Sequence, residues 1–551
     1  MSRRVVVGGN AGGMSTVARL RRLDEAAEVV VFERGEHVSY ASCGLPYHLN
    51  DAVVEDDLAV LTPERVEGLF DVDVRTGHDI VDVDPDVRQV VVEGPDETET
   101  VGYDALALSP GAAPIEGLES VEPHAMRTVE DARALRERAS ADDVDHALVV
   151  GGYVGLEVAE TLDEAGPSVS LVELFDRVMP QTLDPAPAAV VHNHLRDRGI
   201  DLRLETGVTA LRDGDRTTVV LDDGELRTDL VVLATGVSPR TELAEAAGLD
   251  RHESGAIRVD DRLQASAPDV YALGDAAAVP SAASGHAWVP LGGPANRAGR
   301  VLGSVLAGRD ARLDPVLDTA VAKVGDLTVG TVGARERDPG SADGPLEKVY
   351  VYPPSHDEYY PGGDRLWLKL LFDPADGVVR GAQAVGRDGV DKRTDVVATA
   401  IQHGDTVSDL AGFGLAYAPP YGSAKDPVNV AGMAAENVRD GIVEQVHWND
   451  VLDGEVDREL VDCRPREMRD ADGHVPRSSN VPLPELRERV EELPDEVAAY
   501  CKMGQSSYMA TRVLEQHGID AVNFAGGYTL YEAVHRDRNA RDARDAATGD
   551  D

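Results

Sequence analysis

Val5-Val6-Val7-Gly8-Gly9-Asn10-Ala11-Gly12-Gly13, near the start of a chain of 551 residues, reads as a buried strand running into a glycine turn. Three β-branched residues in a row suit a strand. The glycines let the backbone approach a pyrophosphate, and the helix predicted from Ser15 to Leu23 aims its first N–H groups at the same place. Asn10 occupies the second glycine position of GxGxxG. The next strand, Val29-Val30-Val31-Phe32, ends in Glu33, placed to accept hydrogen bonds from an adenosine ribose. Strand, turn, helix and acidic residue together mark a dinucleotide-binding unit, with Gly8, Gly12, Gly13 and Glu33 as its binding residues.

Moving outward, the pattern recurs at Ala147-Leu148-Val149-Val150-Gly151-Gly152-Tyr153-Val154-Gly155-Leu156-Glu157, followed by the strand Val169-Ser170-Leu171-Val172 and Glu173. Here Val150 stands at the first glycine position, while Gly152 and Gly155 keep the close-approach and helix-packing positions. Glu173 would bind a ribose 2′-hydroxyl and repel a 2′-phosphate, which favours NADH over NADPH; Arg177 would soften that preference. Two matching strand-to-turn segments, Leu106 to Ala112 and Leu233 to Pro239, supply Gly111 and Gly236, and Val270 to Ala276 presents Gly274 and Asp275 after a strand. Two dinucleotide sites, the second inserted into the first domain, suggest a flavoprotein fed by a nicotinamide. Between them lies Ser39-Tyr40-Ala41-Ser42-Cys43-Gly44-Leu45-Pro46-Tyr47, a thiol between two tyrosines and the candidate centre of the chemistry. A cysteine works as a nucleophile or redox group through its thiolate, in an accessible electropositive or flavin-adjacent pocket.

Composition narrows the choices. The net charge is −47, from 100 acidic and 53 basic residues, with the imbalance spread along the chain. That field repels nucleic acid and anionic membranes. It resembles the composition of a protein from a high-salt cytoplasm, where carboxylates keep the surface hydrated and salt screens their repulsion. No apolar run reaches membrane-spanning length, and a cytoplasmic protein is expected. The cysteines are Cys43, Cys463 and Cys501, with no CxxC pair, so neither a disulfide framework nor a Cys-rich metal site is expected, and no metal is assigned.

Residues 1 to about 440 resemble the pyridine nucleotide-disulfide oxidoreductases, in the single-cysteine branch of coenzyme A-disulfide reductases and their NADH oxidase and persulfide reductase relatives. The segments that carry the resemblance are Gly8 to Gly13 with Arg19 to Leu23, Ser39 to Tyr47, Gly274-Asp275, Pro290 to Arg297, and above all Ala416-Tyr417-Ala418-Pro419-Pro420-Tyr421-Gly422-Ser423-Ala424-Lys425-Asp426-Pro427-Val428-Asn429. The resemblance implies an α/β chain with two Rossmann-like domains, one for FAD (1–115 and 245–322) and one for NAD(P)H (116–244), then an α+β dimerisation domain (323–442). It also implies a homodimer in which Tyr359 or Tyr360 and Tyr417 approach the partner's Cys43, to hydrogen-bond or protonate a departing thiolate. Arg19, Arg22 and Ser39 match positions that contact CoA in such enzymes, and Ser42 stands where Asn is usual. Beyond Val443, the order Leu460-Val461-Asp462-Cys463-Arg464, Gly473 to Leu483 and Ala498 to Ser507 resembles a rhodanese, here a C-terminal α/β domain over 450–538. Cys501 would open its active loop, Cys463 would be structural, Ser506 replaces the usual Arg, and 539–551 would form a disordered tail.

These implications converge on an FAD-dependent enzyme that uses NADH, or NADPH, to reduce a low-molecular-weight disulfide or persulfide, with CoA the leading thiol and Cys43 passing through a mixed disulfide. An NADH oxidase or peroxidase cycling Cys43 through sulfenic acid is the first alternative. Relatives specialised for peroxide usually place His where this chain has Ala11. A non-catalytic sulfur carrier or redox sensor is the second.

Overall fold

The computed structural model describes residues 2–115, 124–282, 285–337 and 344–548. The expected domain boundary at residue 116 falls outside them. The chain divides into two compact units, Met1–Val172 with Val208–Leu317, and Glu173–Gly207 with Asp318–Asp551.

In the first unit, the strand Arg3–Val7 lies between Ala105–Leu108 and Glu28–Glu33, with Val270–Ala272 and Asp73–Thr76 at the two edges and every pair parallel. The valine run Val5 to Val7 is buried because the sheet is covered on both faces. The late segment around Val270 thus joins the sheet begun at Arg3. The helix Ala11–Arg21 packs along Gly292–Leu306, and glycines set how closely. A β-carbon on Gly299 would meet the Gly12 carbonyl oxygen at 2.5 Å, and one on Gly303 would meet that of Thr16 at 2.6 Å. A second parallel set places His146–Val150 between Ser168–Val172 and Leu230–Leu233, with the helix Tyr153–Ala165 following its glycine turn.

In the second unit, five antiparallel strands run in the order Thr319–Val324, Leu327–Gly333, Val379–Gly386, Trp367–Phe372, Glu347–Val351, beside the helices Val390–His403 and Pro427–Arg439. Here the Lys425 to Asn429 motif finds its structural reason. Asp426 caps the second helix through the Val428 N–H and holds the buried Arg393 guanidinium at 2.9 Å, while the Asn429 amide donates to the carbonyls of Leu410 and Phe413. The C-terminal sheet is parallel throughout, in the order Gln445–Val446, Asp520–Phe524, Glu496–Tyr500, Glu459–Asp462, Ser479–Asn480.

The last element differs from the expected tail. Residues 539–548 continue a helix that runs unbroken over Gly527–Thr548, and Gly549 to Asp551 lie outside the described residues. Its partner explains the order. Asp537 is buried against His192 and Arg196 of the helix Pro185–Asp197, at 3.0 and 2.7 Å, and accepts from Arg541 one turn on.

Candidate functional site

Both glycine turns lead into helices without a side-chain cap. Asn10 and Gly152 occupy the N-cap positions and neither gives a side-chain cap hydrogen bond, whereas Thr62, Thr128, Thr406 and Asp426 do so for their helices. An uncapped N-terminus behind a glycine turn suits an anion such as a pyrophosphate. The departures from GxGxxG also resolve. Asn10 has φ −105°, which any residue adopts, so glycine is not required there. Val150 belongs to the strand, and the left-handed conformations fall on Gly151 and Gly152. Close approach is real at Gly8, Gly13 and Gly152, where a β-carbon would stand 2.0–2.1 Å from a carbonyl oxygen, and at Gly12, 2.8 Å from Ser109 Oγ. Gly155 faces Ala234 Cβ at 3.2 Å, and Gly111, Gly236 and Gly274 all have positive φ.

Glu33 accepts the N–H groups of Gly9 and Gly35 at 2.7 and 2.8 Å, which fixes its carboxylate at the end of its strand. Asp275 is a partly buried carboxyl whose pKa is pushed up by desolvation, opposed by Arg127 at 3.7 Å. In the second unit, Glu173 is buried and accepts the Phe175 N–H at 3.2 Å. Arg177 is buried as well, held by the Leu183 carbonyl at 2.8 Å and by Asp176, so its guanidinium is committed to the fold.

Cys43 is exposed, in the short turn Ser42–Gly44, and Ser42 beside it is exposed too. A β-carbon on Gly292 would lie 3.9 Å from Cys43 Sγ, so the thiol sits at the N-terminus of the helix Gly292–Leu306. The free N–H groups and the positive end of the helix dipole lie at that end of the helix. Ser39 adopts φ +50° and donates its N–H to the Gly9 carbonyl at 2.8 Å, tying the cysteine segment to the first glycine turn. Arg19 donates to Ser304 Oγ at 2.9 Å and Arg22 is exposed at the helix end, while Arg21 between them is buried against the carbonyls of Phe70 and Ala27.

Sequence reasoning missed a group beside the thiol. Tyr47 donates to Glu157 at 3.2 Å. Burial pushes Glu157 up to about 7, opposed by the Tyr47 hydrogen bond and aided by Glu160. Tyr47 and Tyr153 are both pushed well up, by burial first and then by Glu157, and the charge of Cys43 adds to each shift. Tyr153, Glu157 and Glu160 recur at helical spacing, and that pattern was the available signal.

Two further groups lie in the second unit. Tyr417 donates to Asp357 Oδ2 at 2.8 Å, and the Tyr359 and Tyr417 hydroxyls are 3.4 Å apart. These bonds, that to Tyr359 foremost, push the Tyr417 phenol up, and Tyr359 stands 74 % exposed. Tyr360 meets His356 edge-on, with ring centroids 5.7 Å apart. Cys501 is buried where the strand Glu496–Tyr500 meets the helix Gln505–Gln516, and its sulfur accepts from the Gly504 N–H at 3.1 Å and Ser507 Oγ at 3.5 Å. Lys502 is paired with Asp472 at 2.9 Å, and Ser506 is partly exposed.

Residues 2–290 match the pyridine nucleotide-disulphide oxidoreductase family, 319–426 its dimerisation domain and 446–533 a rhodanese-like domain. The chain belongs to the pyridine nucleotide-disulphide oxidoreductases. It is 34% identical over 433 residues to a CoA-dependent NAD(P)H sulfur oxidoreductase of Pyrococcus abyssi, covering 77% of this chain and 96% of that one. It is 32% identical over 450 residues to a coenzyme A disulfide reductase of Staphylococcus aureus, covering 79% and 100%. Two solved structures also span the C-terminal domain. Reduced CoADR-RHD of Bacillus anthracis gives TM-score 0.94 at 40% identity, covering 98% of this chain and 99% of that one. A NAD-dependent persulfide reductase from A. fulgidus gives 0.90 at 35%, covering 96% and 99%. The chain is therefore an oxidoreductase, and membership in this family of flavoenzymes implies FAD and NAD(P)H.

Proposed function

We propose that this oxidoreductase uses NADH to reduce a low-molecular-weight disulfide or persulfide, with CoA the leading thiol, through a mixed disulfide on Cys43. The observation that carries the reading is an exposed thiol at a helix N-terminus with no second cysteine in its unit, since Cys463 and Cys501 both belong to the C-terminal sheet region. A lone thiolate attacks a disulfide RSSR to give Cys43–S–S–R and release RS⁻; with no resolving cysteine, the second thiol leaves only when two electrons arrive.

The residues fit the implied cofactors. Gly8, Gly12, Gly13, Glu33, Gly111, Gly274 and Asp275 would hold FAD, around an uncapped helix and a partly buried carboxyl. Gly152, Gly155 and Gly236 would hold the nicotinamide nucleotide, and in the second unit the carboxylate of Glu173 and the commitment of Arg177 to the fold support NADH over NADPH. A bound flavin supplies the two-electron path between nicotinamide and thiol. Arg19, Arg22, Ser39 and Ser42 would recognise the small thiol. The dimerisation-domain match and the exposed Tyr359 and Tyr417 support a homodimer whose tyrosines hydrogen-bond the departing thiolate of the partner's site. No helix among the described residues is long and apolar enough to cross a membrane, and the free thiols support a cytoplasmic setting.

The test is anaerobic NADH oxidation with CoA disulfide, CoA persulfide, bis-γ-glutamylcystine and polysulfide offered separately. Turnover on a CoA species is expected. Cys43→Ser should lose disulfide reduction by at least about 10³-fold while flavin stays bound. Retained turnover in that variant would sink the reading, and NADH consumption that requires oxygen would favour the oxidase.

A further inference from the structure

The strands Glu459–Asp462 and Glu496–Tyr500 run parallel with Asp462 opposite Tyr500. One step further, Cys463 comes opposite Cys501, and the Cys463 N–H still donates to the Tyr500 carbonyl at 2.8 Å, so the pairing extends to that step. Side chains alternate between the faces of a sheet, which puts Val461 and Cys463 on the same face as Val497, Ala499 and Cys501. The packing agrees. Those five residues are buried in one apolar cluster, whereas Leu460 and Tyr500 pack in another. The two thiols therefore share a face one strand spacing apart, about 4.8 Å between backbones, within the roughly 4.4–6.8 Å range of Cα separations that a disulfide spans. Burial pushes the Cys463 thiol up, and the charges of the neighbouring Cys501 and Asp462 add to that. Cys501 has two hydrogen-bond donors directed at its sulfur, whereas the Cys463 sulfur has only the Val461 carbonyl at 3.8 Å. With two donors directed at it, the loop sulfur suits a sulfur carrier, and its neighbour suits a resolving thiol.

We propose that Cys463 and Cys501 form a sulfur-releasing redox pair, in which Cys463 resolves a persulfide carried on Cys501. In the loading step, the Cys501 thiolate takes one sulfane sulfur from a polysulfide, which is shortened by that atom. In the release step, the Cys463 sulfur attacks Cys501 Sγ, the bond between Cys501 Sγ and the outer sulfur breaks, and the outer sulfur leaves with the Cys463 proton. Cys501–S–SH and Cys463–SH thus give Cys463–S–S–Cys501 and H2S, the sulfane sulfur being reduced and the two thiols oxidised. Two equivalents of a small thiol RSH then regenerate both cysteines and yield RSSR. That product is the substrate class proposed for Cys43, and this last link alone rests on the proposed function.

The full-length protein, reduced and free of NADH, is loaded anaerobically with inorganic tetrasulfide and desalted. Sulfide is followed with time, and the cysteines are mapped by mass spectrometry after alkylation and digestion. The expected result is about one sulfide per chain and a linked pair of peptides containing residues 463 and 501, with Cys463→Val keeping the persulfide and releasing sulfide at least about tenfold more slowly. Cys463→Ala serves if valine does not pack, and the wild-type linked peptide decides the matter if neither variant folds. Cys43→Ser should release sulfide as wild type does, which separates this proposal from the fate of the Cys43 reading. A wild-type protein that retains its Cys501 persulfide with no linked peptide overturns the pair, and so does a folded Cys463 variant that releases sulfide at the wild-type rate.

Discussion

Glu157 places a partly buried ionisable group against Tyr47, four residues after Cys43, and its pKa, pushed up to about 7, gives it a measurable signature. A carboxyl that holds its proton more tightly when folded contributes stability that is fully present below the ordinary carboxylate value, about 4.3, and lost as pH rises through about 7. Glu157→Gln keeps the shape and an acceptor for Tyr47 but cannot ionise. Thermal unfolding should show the variant gaining on wild type by on the order of 2 kcal/mol between pH 5 and 8, with little further change above. A difference independent of pH would mean that Glu157 is solvated as an ordinary carboxylate. The same site shows what a sequence discloses at this scale. Cys43 and the glycines announce themselves because few residue types do their work. Glu157 and Gly292 do not, because their meaning comes from helices that meet the cysteine segment only after folding. Asn10 and Val150 look like defects of a motif until the backbone angles show that neither position needs glycine.

At the scale of elements, the pairing of Ala11–Arg21 with Gly292–Leu306 links fold to site. The first helix begins at the glycine turn and the second begins at Cys43, and Gly299 lets them close on one another. Gly299→Ala must push the Gly12 carbonyl away, at a cost of about 1–3 kcal/mol of overpacking. The displacement falls on the turn proposed for the flavin, so the variant is expected to purify with reduced flavin occupancy and a lowered denaturant midpoint. Full occupancy at wild-type stability would show that the helices separate without cost. Asp426 is a second such point. Asp426→Ala removes a helix cap and leaves the buried Arg393 without its carboxylate, which should destabilise by about 3–5 kcal/mol in chemical denaturation. The βαβ units were legible because valine runs, glycine turns and acidic strand ends follow in fixed order. The motif around Asp426 was legible only as a fingerprint, since its partner lies 33 residues earlier on another helix.

For the whole molecule, the final helix and the net charge pull in opposite directions. The composition of residues 539–548 reads as a fraying end, yet the helix is anchored by Asp537, whose carboxyl His192, Arg196 and Arg541 hold well below the usual carboxylate range against its own desolvation. A depressed carboxyl contributes stability above its unfolded value, near 3.9, and loses it only as pH falls through the lower folded value, so this anchor should hold at pH 5. Asp537→Ala would leave two arginines facing a buried imidazole, and limited proteolysis should then cut in the last helix at a pH where wild type resists. The chain as a whole has a net charge of −47, its 53 basic residues offsetting about half of its 100 acidic ones. Repulsion among like charges several ångströms apart acts over the Debye length, about 10 Å at 0.1 M salt and 3 Å at 1 M. The exposed ion pairs lose little on screening because each is worth at most about 1 kcal/mol. Net repulsion therefore outweighs them, and the unfolding temperature should rise by about 1–2 °C or more between 0.1 and 1 M NaCl, since an unfolding entropy of about 2 cal/mol/K per residue makes 1–2 kcal/mol worth about that much in a chain of this length. Potassium and sodium chloride should act alike if screening is the cause. A midpoint that falls with salt would show that paired charges, and not the acidic excess, govern the stability of this chain.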